Sequence, residues 1–323
     1  MPIFPSKARP ATPWAGRRAD EEYGATAQPD WRGIDWREHL RSTEIAGRRV
    51  NYVDIGSGDG PPVVFVHGLG GAWQNWLENI PRVAQERRVL ALDLPGFGGS
   101  EMPLREISIS GYGRVVDKFC EQLDLGEVAL VGNSMGGFVA AEVAIQVPQR
   151  VERLVLVSAA GISITALHRR PAQTWGRVAA AIGTYGAANT RAAVVRPGFR
   201  HIALGFVARH PTRLRADLCW EQIHASGTEG FTDALEALLE YDFRDRLSSI
   251  HVPTLLVWGE QDMLVPVADA DEFERRIAGA RKLVMDDTGH VPMLERPRTF
   301  NDQLLQFLSE PREPRHAEAE AAV

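Results

Sequence analysis

Short runs of Val, Leu, Ile and Ala without polar alternation recur along the chain. They read "PPVVFVHG", "RRVLALDLPG", "EVALVG" and "RLVLVS", then, well downstream, "VPTLLVWGEQD" and "ARKLVMDDTGH". Bounded by Gly, Pro, Asp or Ser, runs of this length predict strands buried on both faces, and "GRRVNYVDIG" ahead of them predicts one more. Segments of helical character, such as "GYGRVVDKFCEQLDL" and "GGFVAAEVAIQVPQR", lie between the early runs. Buried strands joined by helices are what a parallel sheet covered on both faces requires, so the predicted class is α/β.

After Ser158 the alternation stops. Residues 161–247 read as helical and aromatic-studded, with "TWGRVAAAIGTYG", "FRHIALGFVARHP" and "FTDALEALLEYDF". A helical insertion inside an alternating sheet predicts a cap over the sheet's ligand-binding end, leaving 41–160 and 248–310 as the core. Residues 1–40, rich in Pro, Arg, Ala and acidic residues without a sustained period, are expected to be a flexible extension. Within them "PDWRGIDWREHL" predicts a short helical turn that lays Trp31 and Trp36 on the body. The polar, Ala-rich tail 311–323 is expected to be disordered.

Composition narrows the function. With 323 residues, 44% hydrophobic and 24% charged, the chain can bury the core of one large domain with an insertion. Its net charge of −6 and the lack of a Lys/Arg block with interleaved aromatics argue against nucleic acid or an anionic membrane as partner. Cys120 and Cys219 cannot build a disulfide framework, and neither has a second cysteine at metal-site spacing, so both are expected to be reduced, inert and partly buried. The N-terminus lacks the apolar stretch of a signal peptide, and no apolar run approaches the roughly 20 residues of a membrane span. These features lead to the expectation of a cytoplasmic protein.

The chemistry centres on "LVGNSMGG", where a predicted strand passes into a predicted helix at Gly132-Asn133-Ser134-Met135-Gly136. Gly-x-Ser-x-Gly in that context matches a nucleophile elbow, in which a strained turn presents the hydroxyl at the sheet edge. The flanking glycines are needed because a Cβ there would collide with the neighbouring strand and helix. Phosphate-binding loops require other glycine patterns, which the chain lacks.

A serine needs a base, and the base needs an acid to orient it. Of nine histidines, His290 lies just beyond a predicted strand in "RKLVMDDTGHVPMLERP". For the acid, "LLVWGEQDMLVP" places Asp262 past the preceding strand. Glu260 competes from the same loop, and Asp286 and Asp287 from beside His290. The order Ser134, Asp262, His290 differs from those of chymotrypsin and subtilisin types. In "VVFVHGLGGAWQNW" the Leu69 N–H is expected to converge with the Met135 N–H on an oxyanion. His67 is read as orienting that loop, and Asp93 in "LDLPGFGGS" as bonding loop amides.

These residues resemble the α/β-hydrolase superfamily over about residues 44–310. "HGLGG", "DLPGFGGS", "GNSMGG", "WGEQDMLVP" and "GHVPMLERP" stand in the family's order. The resemblance implies an eight-stranded, mostly parallel sheet with the insertion as a helical cap over a Ser134, His290, Asp262 triad. The implied activity is that of a carboxylesterase-like serine hydrolase acting on a small or medium ester, with no cofactor or metal. Ser134 disfavours the branches with an elbow aspartate, epoxide hydrolases and haloalkane dehalogenases. The spelling "GNSMGG" also resembles hydrolases that cleave carbon–carbon bonds in meta-cleavage products. Those usually carry a Ser-Gly-Pro-Gly-type loop and a Trp after the histidine, where this chain has Leu69-Gly70-Gly71 and Val291. Slow-turnover small-molecule receptors share the same triad. Trp175, Phe206, Trp220, Phe231 and Tyr241 of the cap are read first as helix packing and second as pocket lining.

Overall fold

The computed structural model describes residues 8–163, 194–224 and 229–311. The apolar runs pair into one eight-stranded sheet in the order β1-β2-β4-β3-β5-β6-β7-β8. The strands are β1 Leu40–Ile45, β2 Arg48–Ile55, β3 Val63–Val66, β4 Val89–Leu92, β5 Val128–Asn133, β6 Val151–Val157, β7 Thr254–Gly259 and β8 Arg281–Met285. β2 is antiparallel to β1 and β4, and the remaining pairings are parallel.

β3 shows why the runs lack polar alternation. After the short helix α1 (Ile80–Val83) come α2 (Ile109–Gln122) and α3 (Met135–Gln146), and Val64 and Val66 enter one core with Val116 and Phe119 of α2 and Phe138 of α3. Val63 and Phe65 point the other way, into a second core with Trp76 and Phe300. Successive side chains of a strand face opposite sides, so a sheet covered twice requires apolar residues at every position. Burying each Val or Leu contributes about 1.5–3 kcal/mol. β1 is the exception: of its residues only Ile45 is fully buried, so "LRSTEI" carries no apolar run by which it could be recognised.

β3, β5, β6, β7 and β8 end on the same edge, and the loops beyond them carry His67, Ser134, Ser158, Asp262 and His290. The described part of the insertion between β6 and β7 holds three α-helices, Pro197–Leu204, Ala216–His224 and Phe231–Glu240, and a 3₁₀ helix, Arg244–Ser249. It bonds to loops on that same edge. Gln222 Nε2 donates to Gln74 O at 2.7 Å, and Asn75 Nδ2 to Gln222 Oε1 at 2.7 Å, both beyond β3. Gly230 N donates to Gly96 O at 3.2 Å beyond β4, and His290 N to Val207 O at 2.8 Å beyond β8. Trp175 and the tail from residue 312 lie outside the described residues.

Residues 8–40, within the expected N-terminal extension, make several contacts with the body. Tyr23 and Trp31 are buried, and short 3₁₀ turns at Trp31–Gly33 and Trp36–Glu38 lay both tryptophans inward. Trp31 Nε1 and the Ala27 N–H both donate to the buried Glu78 carboxylate, at 2.9 and 2.8 Å. Trp36 packs its ring 5.0 Å from that of Trp73. Isolated aromatic anchors fasten the segment, and anchors without a period leave no periodic signal.

Cys120 and Cys219 are free and buried, and burial pushes each thiol up to about 12, leaving almost no thiolate at neutral pH. No helix among the described residues is long and apolar enough to cross a membrane.

Candidate active site

The turn between β5 and α3 carries Ser134 at φ 55°, ψ −116°, a region that costs a non-glycine residue about 1–3 kcal/mol. Backbone bonds hold it there: Ser134 N donates to Val157 O at 2.9 Å, while Ser134 O accepts from Phe138 N at 3.1 Å and Ala160 N at 3.0 Å. The flanking glycines are sterically required. A Cβ on Gly136 would stand 2.2 Å from Val66 O of β3, and one on Gly132 2.2 Å from Gly136 O of α3. Both collisions are with backbone, which cannot step aside. Ser134 is half-buried.

Asp262 and His290 meet beyond β7 and β8. Asp262 is fully buried and His290 nearly so, and His290 Nδ1–H donates to Asp262 Oδ2 at 2.8 Å. Asp262 Oδ1 accepts the N–H groups of Leu264 at 2.8 Å and Val265 at 2.9 Å. Three donors thus converge on this one carboxylate. An acceptor-only partner at Nδ1 assigns the proton to that nitrogen and leaves Nε2 a free lone pair. Two of the competing acids, Glu260 and Asp287, are occupied elsewhere. Glu260 is exposed and bonds Gln261, and Asp287 accepts from Arg209 Nε at 3.3 Å and pairs with His210 Nε2 at 2.7 Å. Asp286 offers its backbone oxygen to Thr288 and Arg296.

Asn133 links the two halves of the site. Its Nδ2 donates to Val157 O at 3.1 Å and to His290 O at 3.3 Å, so the residue before Ser134 holds the main chain of His290. Nothing in the Gly-x-Ser-x-Gly pattern marks this. Glu295 is a second residue without a sequence signal: fully buried, it accepts the N–H groups on either side of His290, from Gly289 at 2.9 Å and Val291 at 3.2 Å.

Met135 opens α3, where its N–H has no carbonyl one turn earlier to bond. The loop bearing half-buried Leu69 passes beside the serine, since a Cβ on Gly68 would stand 3.3 Å from Ser134 Cβ. His67 braces that loop: Nδ1–H donates to Gly68 O at 2.8 Å and Nε2 accepts from Leu94 N at 3.0 Å. Burial lowers its pKa and keeps the ring neutral, as this pairing demands. Asp93, raised by burial, accepts from Trp73 N at 2.7 Å and Gly99 N at 2.8 Å.

Among the insertion's aromatics, Phe231 approaches the Leu69 loop, its ring 3.2 Å from where a Gly70 Cβ would stand. Tyr241 donates its hydroxyl to Glu142 at 2.7 Å, and Trp220 stacks on His224 at 5.1 Å, both packing roles. Phe206 is half-buried. Among the described residues no group of three or more His, Cys, Asp or Glu is arranged to hold a metal.

A mostly parallel eight-stranded sheet with a serine elbow beyond β5 and an Asp–His pair beyond β7 and β8 defines the class. The α/β hydrolase fold family model matches residues 61–297, and the chain belongs to that family. Among its relatives is the dihydrolipoyllysine-residue acetyltransferase component of the acetoin cleaving system of Pseudomonas putida. It is 32% identical over 277 residues, spanning 83% of this chain and 69% of that one. The 2-hydroxy-6-oxononadienedioate/2-hydroxy-6-oxononatrienedioate hydrolase of Escherichia coli K12 is 31% identical, over 84% of this chain and 95% of its own. The solved structure of a serine hydrolase involved in carbazole degradation superposes with a TM-score of 0.66 at 27% identity. That match covers 84% of this chain and 98% of the other.

Proposed function

We propose that the protein is a serine hydrolase that cleaves a small or medium carboxylic ester through an acyl-enzyme. The observation that carries this reading is the buried His290–Asp262 bond of 2.8 Å, on a loop tied by Asn133, the residue preceding a strained Ser134. Ser134 Oγ attacks the carbonyl carbon as His290 Nε2 takes its proton. Asp262 keeps the second imidazole proton on Nδ1 and stabilises the imidazolium. The Leu69 and Met135 N–H groups receive the oxyanion, a donor of this kind being worth about 3 kcal/mol in the transition state. His290 then protonates the leaving alcohol, and afterwards takes a proton from the water that releases the acid. The insertion, seated on the loops beyond β3, β4 and β8, serves as the cap that shapes the acyl and alcohol pockets.

A second reading draws on a relative. The Escherichia coli hydrolase matched over 95% of its length is named for 2-hydroxy-6-oxo dienedioates, in which the same serine chemistry at a ketone would cleave a carbon–carbon bond. Leu69-Gly70-Gly71 and Val291, which depart from the usual spelling of such enzymes, favour the ester.

The test is steady-state turnover of p-nitrophenyl acetate and butyrate beside 2-hydroxy-6-oxononadienedioate. The ester reading expects multiple turnovers of the p-nitrophenyl esters and their loss in Ser134→Ala, which deletes one half-buried hydroxyl and should leave the fold intact. Higher kcat/KM on the dienedioate would install the second reading, and undiminished ester turnover by Ser134→Ala would remove both.

A further inference from the structure

Glu295 ends the short helix Pro292–Glu295, and its carboxylate gathers donors from three separate parts of the chain. Gly289 N and Val291 N reach it from the His290 loop at 2.9 and 3.2 Å. Arg209 N reaches it from the insertion at 2.7 Å, two residues after the Val207 carbonyl that accepts the His290 N–H at 2.8 Å. The Tyr23 hydroxyl reaches it from the N-terminal segment. That hydroxyl itself accepts the His210 N–H at 2.7 Å, which commits its own proton to Glu295. Gly24 N adds a bond to Glu295 O at 2.7 Å.

The loop carrying His290 is therefore not held by its own strand alone. Its two flanking amides and its own amide are taken up by Glu295 and Val207, and Tyr23 closes the arrangement from outside the αβ core. All four groups meeting the carboxylate are donors, so its two oxygens serve only as acceptors, and these bonds oppose the burial that raises its pKa. A glutamine of the same size would offer one acceptor oxygen and turn an NH₂ group toward N–H and O–H donors.

We propose that Glu295, latched by Tyr23, is a positioning residue that sets the His290 imidazole against Asp262 and Ser134. The N-terminal segment thereby takes part in the reaction through one hydroxyl. This inference rests on His290 as the base of the serine reaction.

In Glu295→Gln the His290 loop loses its fixed seat. A displacement of the order of 1 Å from near-attack geometry costs about 10²-fold in rate. The expected result is a fall of about 10²-fold in kcat on p-nitrophenyl butyrate per active serine titrated with a fluorophosphonate, with KM little changed. Tyr23→Phe, which leaves Glu295 in place and covers the case of a Glu295→Gln chain that fails to fold, should lose about tenfold. The double variant should be no slower than Glu295→Gln alone, because both act through one carboxylate. A merely structural role would lower the number of titratable sites and leave the rate per site unchanged.

An activity-independent readout accompanies these rates: the proton resonance of His290 Nδ1–H, which should shift in Tyr23→Phe and in folded Glu295→Gln. An unshifted resonance, or wild-type kcat per site in both variants, would overturn the inference. Failure of the serine reading registers separately, as undiminished ester turnover by Ser134→Ala.

Discussion

Asn133 shows how much of a site can rest on a residue outside the chemistry. Its amide donates to two carbonyls, Val157 O and His290 O, one on the strand beside the elbow and one on the loop of the base. Asn133→Asp would turn an oxygen toward those carbonyls in a buried place, replacing two attractions by repulsions. An unsatisfied or mispaired buried group costs about 1–3 kcal/mol. The expected outcome is a stability loss of that size in urea titration, together with a fall in kcat on a p-nitrophenyl ester. Wild-type values of both would show that the amide does not couple the elbow to the base. Ser134, Asp262 and His290 are legible in the sequence because each follows a recognisable apolar run within a local pattern. Asn133 and Tyr23 are not, because each bonds a partner more than a hundred residues away, which no local spacing encodes, and Glu295, though it accepts from nearby Gly289 and Val291, matches no local pattern that marks a base's support.

The helix Val267–Arg276, which follows β7, holds a carboxylate with a measurable pH signature. Asp269 is buried and accepts the Ser163 N–H at 2.9 Å, at the point where the chain leaves the sheet for the insertion. Desolvation by burial, reinforced by the nearby Asp262 and Glu272 carboxylates and opposed by the bond from Ser163, lifts its pKa from 3.8 to about 6. A raised carboxyl pKa means that the folded state holds the proton more tightly than the unfolded one. Stability from this group is therefore greatest below about pH 4 and declines as pH rises through 6, by about 2–3 kcal/mol at most. Asp269→Asn keeps an acceptor for Ser163 and removes the charge. It should raise the Tm at about pH 8 and confer no gain near pH 4. A pH-independent effect of the substitution would contradict this account. The same scale shows which elements the apolar pattern reveals. The doubly buried strands β3 to β7 stand out as continuous runs, whereas β1, exposed along most of its length, shows itself only once paired with β2.

At the scale of the molecule, residues 8–40 are joined to the body by buried aromatic side chains and hydrogen bonds. The anchors at Tyr23, Trp31 and Trp36 are too irregularly spaced to form a pattern, so composition alone makes the segment look like a linker. A chain begun at His39 would lose the buried Tyr23 and Trp31 side chains. It would also strip Glu78 of the Ala27 and Trp31 donors, leave Glu295 without Tyr23, and take Asp20 and Glu22 from Arg296. Losing a buried aromatic side chain costs about 3–5 kcal/mol, and a buried carboxylate deprived of donors adds to that. Against a total stability of about 5–15 kcal/mol, removal of the segment is expected to take most of the margin. The truncated chain should show a markedly lower Tm and weakened near-ultraviolet dichroism, while Trp31→Ala in the full chain should lose about 3–5 kcal/mol by urea titration. A truncated chain that melts with the parent would make the segment an appendage. One that stays folded yet turns over esters slowly would separate the segment's share in stability from its hold, through Tyr23, on the His290 loop.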